Sequence, residues 1–190
     1  MTNKEKKQKL LDALYEPYKT HHNCPIKRSD PHSPVFGVGN PDAQILLIGE
    51  APGRQEDEQG LPFVGRSGQL LTKVLHSLDI QRTDIFITNI VKCRPPLNRT
   101  PTPKEVQGYK DFLLKQIEII QPKVICTLGS VATHTFLPQE SPMSALRGRI
   151  HYWNNIPIIP TYHPAYILRN MTKGEVFIRD LEKVAQYINP

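Results

Sequence analysis

Cysteine is scarce in this chain, occurring only at Cys24, Cys93 and Cys126, with no short regular spacing. Such a set builds neither a disulfide framework nor a four-cysteine zinc site within one chain, and it suits a reducing cytoplasm. Long apolar runs are missing too: nothing approaches the ~18 residues that span a bilayer. The opening MTNKEKKQKLLDALYEPY lacks a small-residue cleavage pattern, so the reading is a soluble, unexported protein with no membrane partner. There is no internal repeat and no low-complexity segment. An excess of acid is absent as well, since 24 lysines and arginines against 18 aspartates and glutamates leave a net charge of +6, which favours a polyanionic partner.

What is present suits one domain over residues 1–190 with room for a real core. Leu10, Leu11, Leu14 and Tyr18 recur at helical spacing and predict an amphipathic helix from Asn3 to Tyr18, the ordered part of an N-terminal segment 1–20. From 21 to 41 the prolines and glycines predict an irregular loop. Short apolar runs at Gln44 to Ile48, Ile85 to Thr88, Val124 to Thr127 and Pro157 to Pro160 predict strands buried on both faces. Helical patterns at Ser67 to Leu78, Pro103 to Ile120, Ser130 to Phe136 and Gly174 to Ile188 separate or follow them. Right-handed crossovers then give an α/β fold whose mostly parallel sheet carries helices on both faces. Ile150 to Ile158, with Asn154 and Asn155 between apolar flanks, predicts a hairpin into the fourth strand.

Three segments begin where apolar runs end: GEAPG at Gly49 to Gly53, TNIVKCRPP at Thr88 to Pro96, and HPAY at His163 to Tyr166. Ligands of α/β sheets bind outside the carboxyl ends of the strands, so the three segments should converge on one site. GEAPG alone is a weak signal, equally a plain tight turn. It lacks the lysine and serine or threonine of a P-loop and the GxGxxG spacing of dinucleotide folds, which leaves a nucleotide hydrolase a distant reading. The continuation holds the acids Glu56, Asp57 and Glu58, then Phe63 between Pro62 and Val64. An aromatic in a rigid loop beside a strand end is either core or a stacking platform for a planar base.

GEAPG, ED, PFVGRSGQLL, TNIVKCRPP, NRTPTPKE, LLKQIE, LGSVA and HPAYILRN stand in the order and spacing of family 4 uracil-DNA glycosylases, which this chain resembles from Val35 to Asn170. The resemblance implies a three-layer αβα sandwich with a central four-stranded parallel sheet. It implies a base excision repair enzyme, cytoplasmic and nucleoid-associated in a prokaryote, that acts as a monomer on single- or double-stranded uracil-containing DNA. Uracil is flipped out, its N-glycosidic bond is hydrolysed, and an abasic site is left. By this resemblance Asn89 pairs its amide with O4 and N3 of uracil, a donor and acceptor pattern that cytosine reverses. His163 faces O2, where developing negative charge is strongest. Glu50 orients or activates water, with Glu56 and Asp57 as competing acids, while Gly49, Ala51 and Phe63 hold the base. Lys92, Arg94, Arg99, Gly129, Ser130 and Arg169 are expected on phosphates, and Pro164 to Arg169 in the minor groove, with Leu168 or a neighbour as wedge.

Family 4 enzymes usually hold a [4Fe-4S] cluster on four cysteines. Cys24 and Cys93 fit the first and third ligands, but Lys27 and Gly108 stand at the second and fourth, and Cys126 aligns with neither. Two thiolates do not hold a four-iron cluster, so no cofactor is expected; a lone zinc on Cys24, Cys93 and nearby histidines such as His21 or His22 is the alternative. CRPPLNRTPTP runs without the inserted loop of relatives that attach covalently to DNA, so trapping is not expected. The alternatives are a glycosylase for another deaminated base, against which Asn89 and Phe63 argue, and a catalytically weak DNA-binding member of the fold.

Overall fold

The structure is a computed structural model and describes residues 1–19, 24–26 and 34–188. Lys27, His21, His22 and His32, and about half of the expected irregular loop, lie outside the described residues.

Four strands make the parallel centre of a sheet: β2 (Ile45–Gly49), β3 (Phe86–Asn89), β4 (Val124–Leu128) and β6 (Ile156–Thr161). Two short antiparallel strands flank them, β1 (Val38–Gly39) against β3 and β5 (His151–Trp153) against β6, so the order is β1-β3-β2-β4-β6-β5. The described sheet therefore has six strands around the expected parallel four. The β5–β6 hairpin stands where the Asn154-Asn155 turn placed it, both asparagines having positive φ. β1 corrects the expectation of an irregular segment through residue 41.

Successive residues of the central strands point to opposite faces. Leu46, Ile48, Ile125 and Ile158 pack with Leu11 of α1 (Asn3–Tyr15) and with Tyr109, Leu113 and Ile117 of α4 (Pro103–Ile120). Ile45, Leu47, Val124 and Ile159 pack with Leu71 and Leu75 of α3 (Arg66–Ser77) and Phe177 and Leu181 of α8 (Gly174–Ala185). The result is two apolar cores, one on each side of the sheet, as in a three-layer αβα sandwich. α1 and α4 start at capping boxes, Thr2 with Glu5 and Thr102 with Glu105, and Pro103 occupies the first turn of α4.

Three helices were not expected: α2 (Arg54–Gln59) in the acid run, α6 (Met143–Leu146), and α7 (Pro164–Arg169) in the segment expected in the minor groove. α5 (Ser130–His134) is shorter than the expected helix. α2 starts at Gly53, whose extended backbone leaves the β2 turn, and ends at Gly60 in the left-handed region.

Candidate active site

The carboxyl ends of β2, β3, β4 and β6 open into a cavity of about 700 Å³. It lies beside β2, where β3 and β4 leave in opposite directions, the topological switch point at which α/β sheets place ligands. All three motifs reach it: Glu50 and Ala51 from the first, Asn89 from the second, His163 and Tyr166 from the third. A wider groove, about 870 Å³, runs along the β1 edge past Val38 and Leu61, but its lining surface is mostly apolar, and it gathers none of the motif residues just named and shares only Phe63 with the cavity.

Asn89 ends β3 and is only 1% exposed. Its Oδ1 is buried without a hydrogen-bond partner. Leaving a buried carbonyl unpaired costs about 1–3 kcal/mol, which a ligand N–H recovers. Gly49, paired with Asn89 across β2 and β3, makes the room: a Cβ there would collide with Asn89 Oδ1 and the Phe63 ring. The strand ends are tied by Ile90 N donating to Gly49 O (2.9 Å) and Val91 N to Glu50 O (3.2 Å).

Phe63 is 5% exposed and holds a φ of 53°, a conformation disfavoured for a bulky residue. Arg82 clamps it there, donating to the carbonyls of Pro62 (2.7 Å) and Phe63 (2.9 Å). Gly68 lets α3 press on the Phe63 backbone, which a Cβ would strike. Glu56 closes the loop, its Oε1 accepting from the amides of Val64 (2.9 Å) and Gly65 (2.8 Å). The ring so fixed lies 5.7 Å from the His163 ring, tilted 31°.

His163 caps α7, and its Nδ1 accepts from Ala165 N at 3.1 Å. A ring nitrogen that accepts a backbone proton carries none, so the neutral ring bears its hydrogen on Nε2. Burial pulls the imidazole down to about 4, assisted by the positive charge of Arg169, so the ring is neutral at neutral pH. Gly129, at φ 92°, brings the β4 turn against it, a Cβ there lying 3.0 Å from His163 Cβ. Glu50 lines the cavity without a side-chain hydrogen bond to another described residue, and burial raises its carboxyl above the ordinary value.

Among the acids, Glu50 alone keeps an uncommitted carboxylate in the cavity: Glu56 braces the Phe63 loop, and Asp57 is 3% exposed and absent from the lining. Arg99, Gly129, Ser130 and Arg169 border the cavity. Arg99 is tied by two hydrogen bonds to Glu105, at 2.7 and 2.6 Å, which holds that carboxyl down at about 2. Arg94 donates to Asn98 Oδ1 at 2.7 Å and lies off the lining, as does half-buried Leu168. Two expectations are corrected. Pro164 is buried in the first turn of α7, with Ala165 facing the cavity instead. Lys92 is 1% exposed, its Nζ donating to Thr88 Oγ1 (2.7 Å) and Asn89 O (2.6 Å), so it holds the end of β3 and reaches no phosphate. Ser67, Met143 and Tyr162 also line the cavity without having been singled out in the sequence; Ser67 stands inside PFVGRSGQLL and Tyr162 directly precedes His163, while Met143 is near no motif.

The cluster that the resemblance associates with this family does not fit the residues present. Cys24 and Cys93 face each other as a disulfide, with Cα atoms 6.8 Å apart, a pairing that the sequence spacing argued against. Tyr109 OH donates to Cys24 Sγ at 2.8 Å. At the fourth-ligand position, a Cβ on Gly108 would lie 2.9 Å from the Pro25 ring. No group of three or more histidine, cysteine or acidic side chains that could hold a metal occurs among the described residues.

The model of the Uracil DNA glycosylase superfamily matches residues 36–187, and the chain belongs to that superfamily. The Type-4 uracil-DNA glycosylase of Thermotoga maritima is 41% identical over 186 residues, 96% of this chain and 96% of the relative. That of Archaeoglobus fulgidus is 38% identical over 184 residues, covering 93% and 92%, and that of Saccharolobus solfataricus 39% over 188 residues, covering 94% and 87%. Within the superfamily the chain is a member of family 4.

Proposed function

We propose that this protein excises uracil from DNA by hydrolysing the bond between the base and deoxyribose, the opening step of base excision repair. The observation that carries the reading is the unpartnered Oδ1 of Asn89, buried at the bottom of a cavity that also holds a fixed aromatic ring and a neutral histidine. Oδ1 accepts the N3–H of uracil while the amide nitrogen donates to O4; cytosine offers an acceptor and a donor at those positions and leaves both groups unpaired.

The extruded base stacks on Phe63. As the bond from C1′ to the base nitrogen breaks, its electron pair leaves with uracil and the sugar gains oxocarbenium character. His163 Nε2–H donates to O2, where the charge grows; a neutral donor held by its own helix cap needs no reorganisation during the step. Water adds at C1′ and loses its proton to Glu50, whose desolvated carboxylate is a stronger base than one in water. Arg169 and Ser130 take backbone phosphates.

The test is release of uracil from labelled single-stranded and duplex oligonucleotides in EDTA, followed by alkaline cleavage. Wild type cuts at the uracil position. Asn89→Ala and His163→Ala each lower the rate by about a hundredfold or more with DNA binding largely kept. Wild-type-like rates in both variants overturn the assignment of the site.

A further inference from the structure

Leu97 is 96% exposed, more than any other large hydrophobic residue described. It also holds φ 55° and ψ 23°, in the left-handed region that leucine disfavours. A lone exposed leucine is ordinary. One that is exposed, conformationally disfavoured and locked in place is not, because neither packing nor backbone energy within the folded chain favours it. The lock is explicit. Asn98 N donates to Pro95 O and Arg99 N to Pro96 O, both at 3.1 Å, while Arg94 Nε holds Asn98 Oδ1 at 2.7 Å. Arg99 is anchored in turn on Glu105.

The loop is also in a telling place, for Pro95, Asn98, Arg99 and Thr100 line the base cavity and so put Leu97 on its rim. Phe63 is the parallel case, another strained apolar residue clamped from behind, but turned inward.

We propose that Leu97 is a second wedge, which enters the base stack of duplex DNA beside the extruded nucleotide. The inference rests on the base-release reading above. Apolar side chains on rigid loops unstack a base step and hold the gap open, and the exposed guanidinium of Arg99 beside Leu97 suits the flanking phosphates. Single strands have little stacking to break, so the wedge acts on duplex substrates.

The test compares wild type, Leu97→Gly and Leu97→Met in uracil release from a duplex and from the same strand alone, with 2-aminopurine fluorescence beside the uracil reporting unstacking. Leu97→Gly removes the wedge and suits the left-handed backbone, so its melting temperature is not lowered. Expected are a loss of about tenfold or more on the duplex, a single-strand rate within about twofold of wild type, and a reduced fluorescence rise. Leu97→Met restores most of the duplex rate. Equal losses on both substrates, or none on either, overturn the wedge while leaving base release standing. A wild type that releases no uracil from either substrate overturns the base-release reading, and the wedge with it.

Discussion

Replacing Lys92 with methionine tests the reading of the β3 end. The amine is buried with no carboxylate paired to it among the described residues, and its two hydrogen bonds are both to acceptors, Thr88 Oγ1 and Asn89 O. A neutral amine has two hydrogens and satisfies both. The third N–H of an ammonium finds only the Phe112 ring, 5.4 Å from Nζ, so burial holds the group well below its ordinary 10.5. Between the folded and unfolded values the unfolded chain binds one more proton, so this group makes stability rise with pH, by about 1.4 kcal/mol per unit. That contribution is complete above 10.5 and is lost as pH falls toward the folded value. Lys92→Met abolishes the titration and leaves Asn89 O unpaired at a cost of about 1–3 kcal/mol. Urea unfolding of both proteins at a series of pH values below 10.5 should therefore show wild type gaining on the variant as pH rises, with base release falling in the variant as Asn89 loses its support. A stability difference that stays flat with pH would refute the argument, for it would mean that the amine keeps its proton on folding.

Gly49→Ala puts a methyl group into Asn89 Oδ1 and the Phe63 ring; base release should fall about a hundredfold or more in a protein that still melts cooperatively, and an unimpaired variant would show that the base binds elsewhere. The His163 imidazole should titrate by NMR near 4, below its ordinary 6.5. The folded chain then binds fewer protons between those values, so this group's contribution to stability is complete above 6.5 and declines as pH drops toward 4. A midpoint at 6 to 7 would mean a solvated ring. Protein purified without oxygen should contain no stoichiometric iron, and the Cys24→Ser, Cys93→Ser double variant should lose stability but keep base release; four irons per chain would overturn the fit argued from Pro25 and Gly108.

Where the local sequence carries the physics, it was legible. α4 runs from Pro103 to Ile120 as read, because a capping box and a proline start it and its apolar period is unbroken. The four parallel strands were visible as apolar runs, and their ends placed Glu50, Asn89 and His163 at one edge before any packing was known. β1 was missed because two residues, Val38 and Gly39, carry no period; they form a strand only because β3 supplies partners. The acid run carries no helical period of its own, yet it folds into α2, with Glu56 turned inward onto the Val64 and Gly65 amides.

The sequence by itself determined the four central strands and the longer helices between them, the motifs at the strand ends and the family they mark, because alternation, capping and turn chemistry are short-range. Only the tertiary structure decided what each charged or reactive side chain faces. Lys92 follows a strand in a basic motif and looks bound for phosphate, but β3 and α4 enclose it. Cys24 and Cys93, 69 residues apart in sequence, become partners because Cys24 and Ile26 pack on α4. Burial, and with it the protonation of His163, Lys92 and Glu50, depends on the neighbours that distant segments bring, and those exist only once the chain has closed on itself.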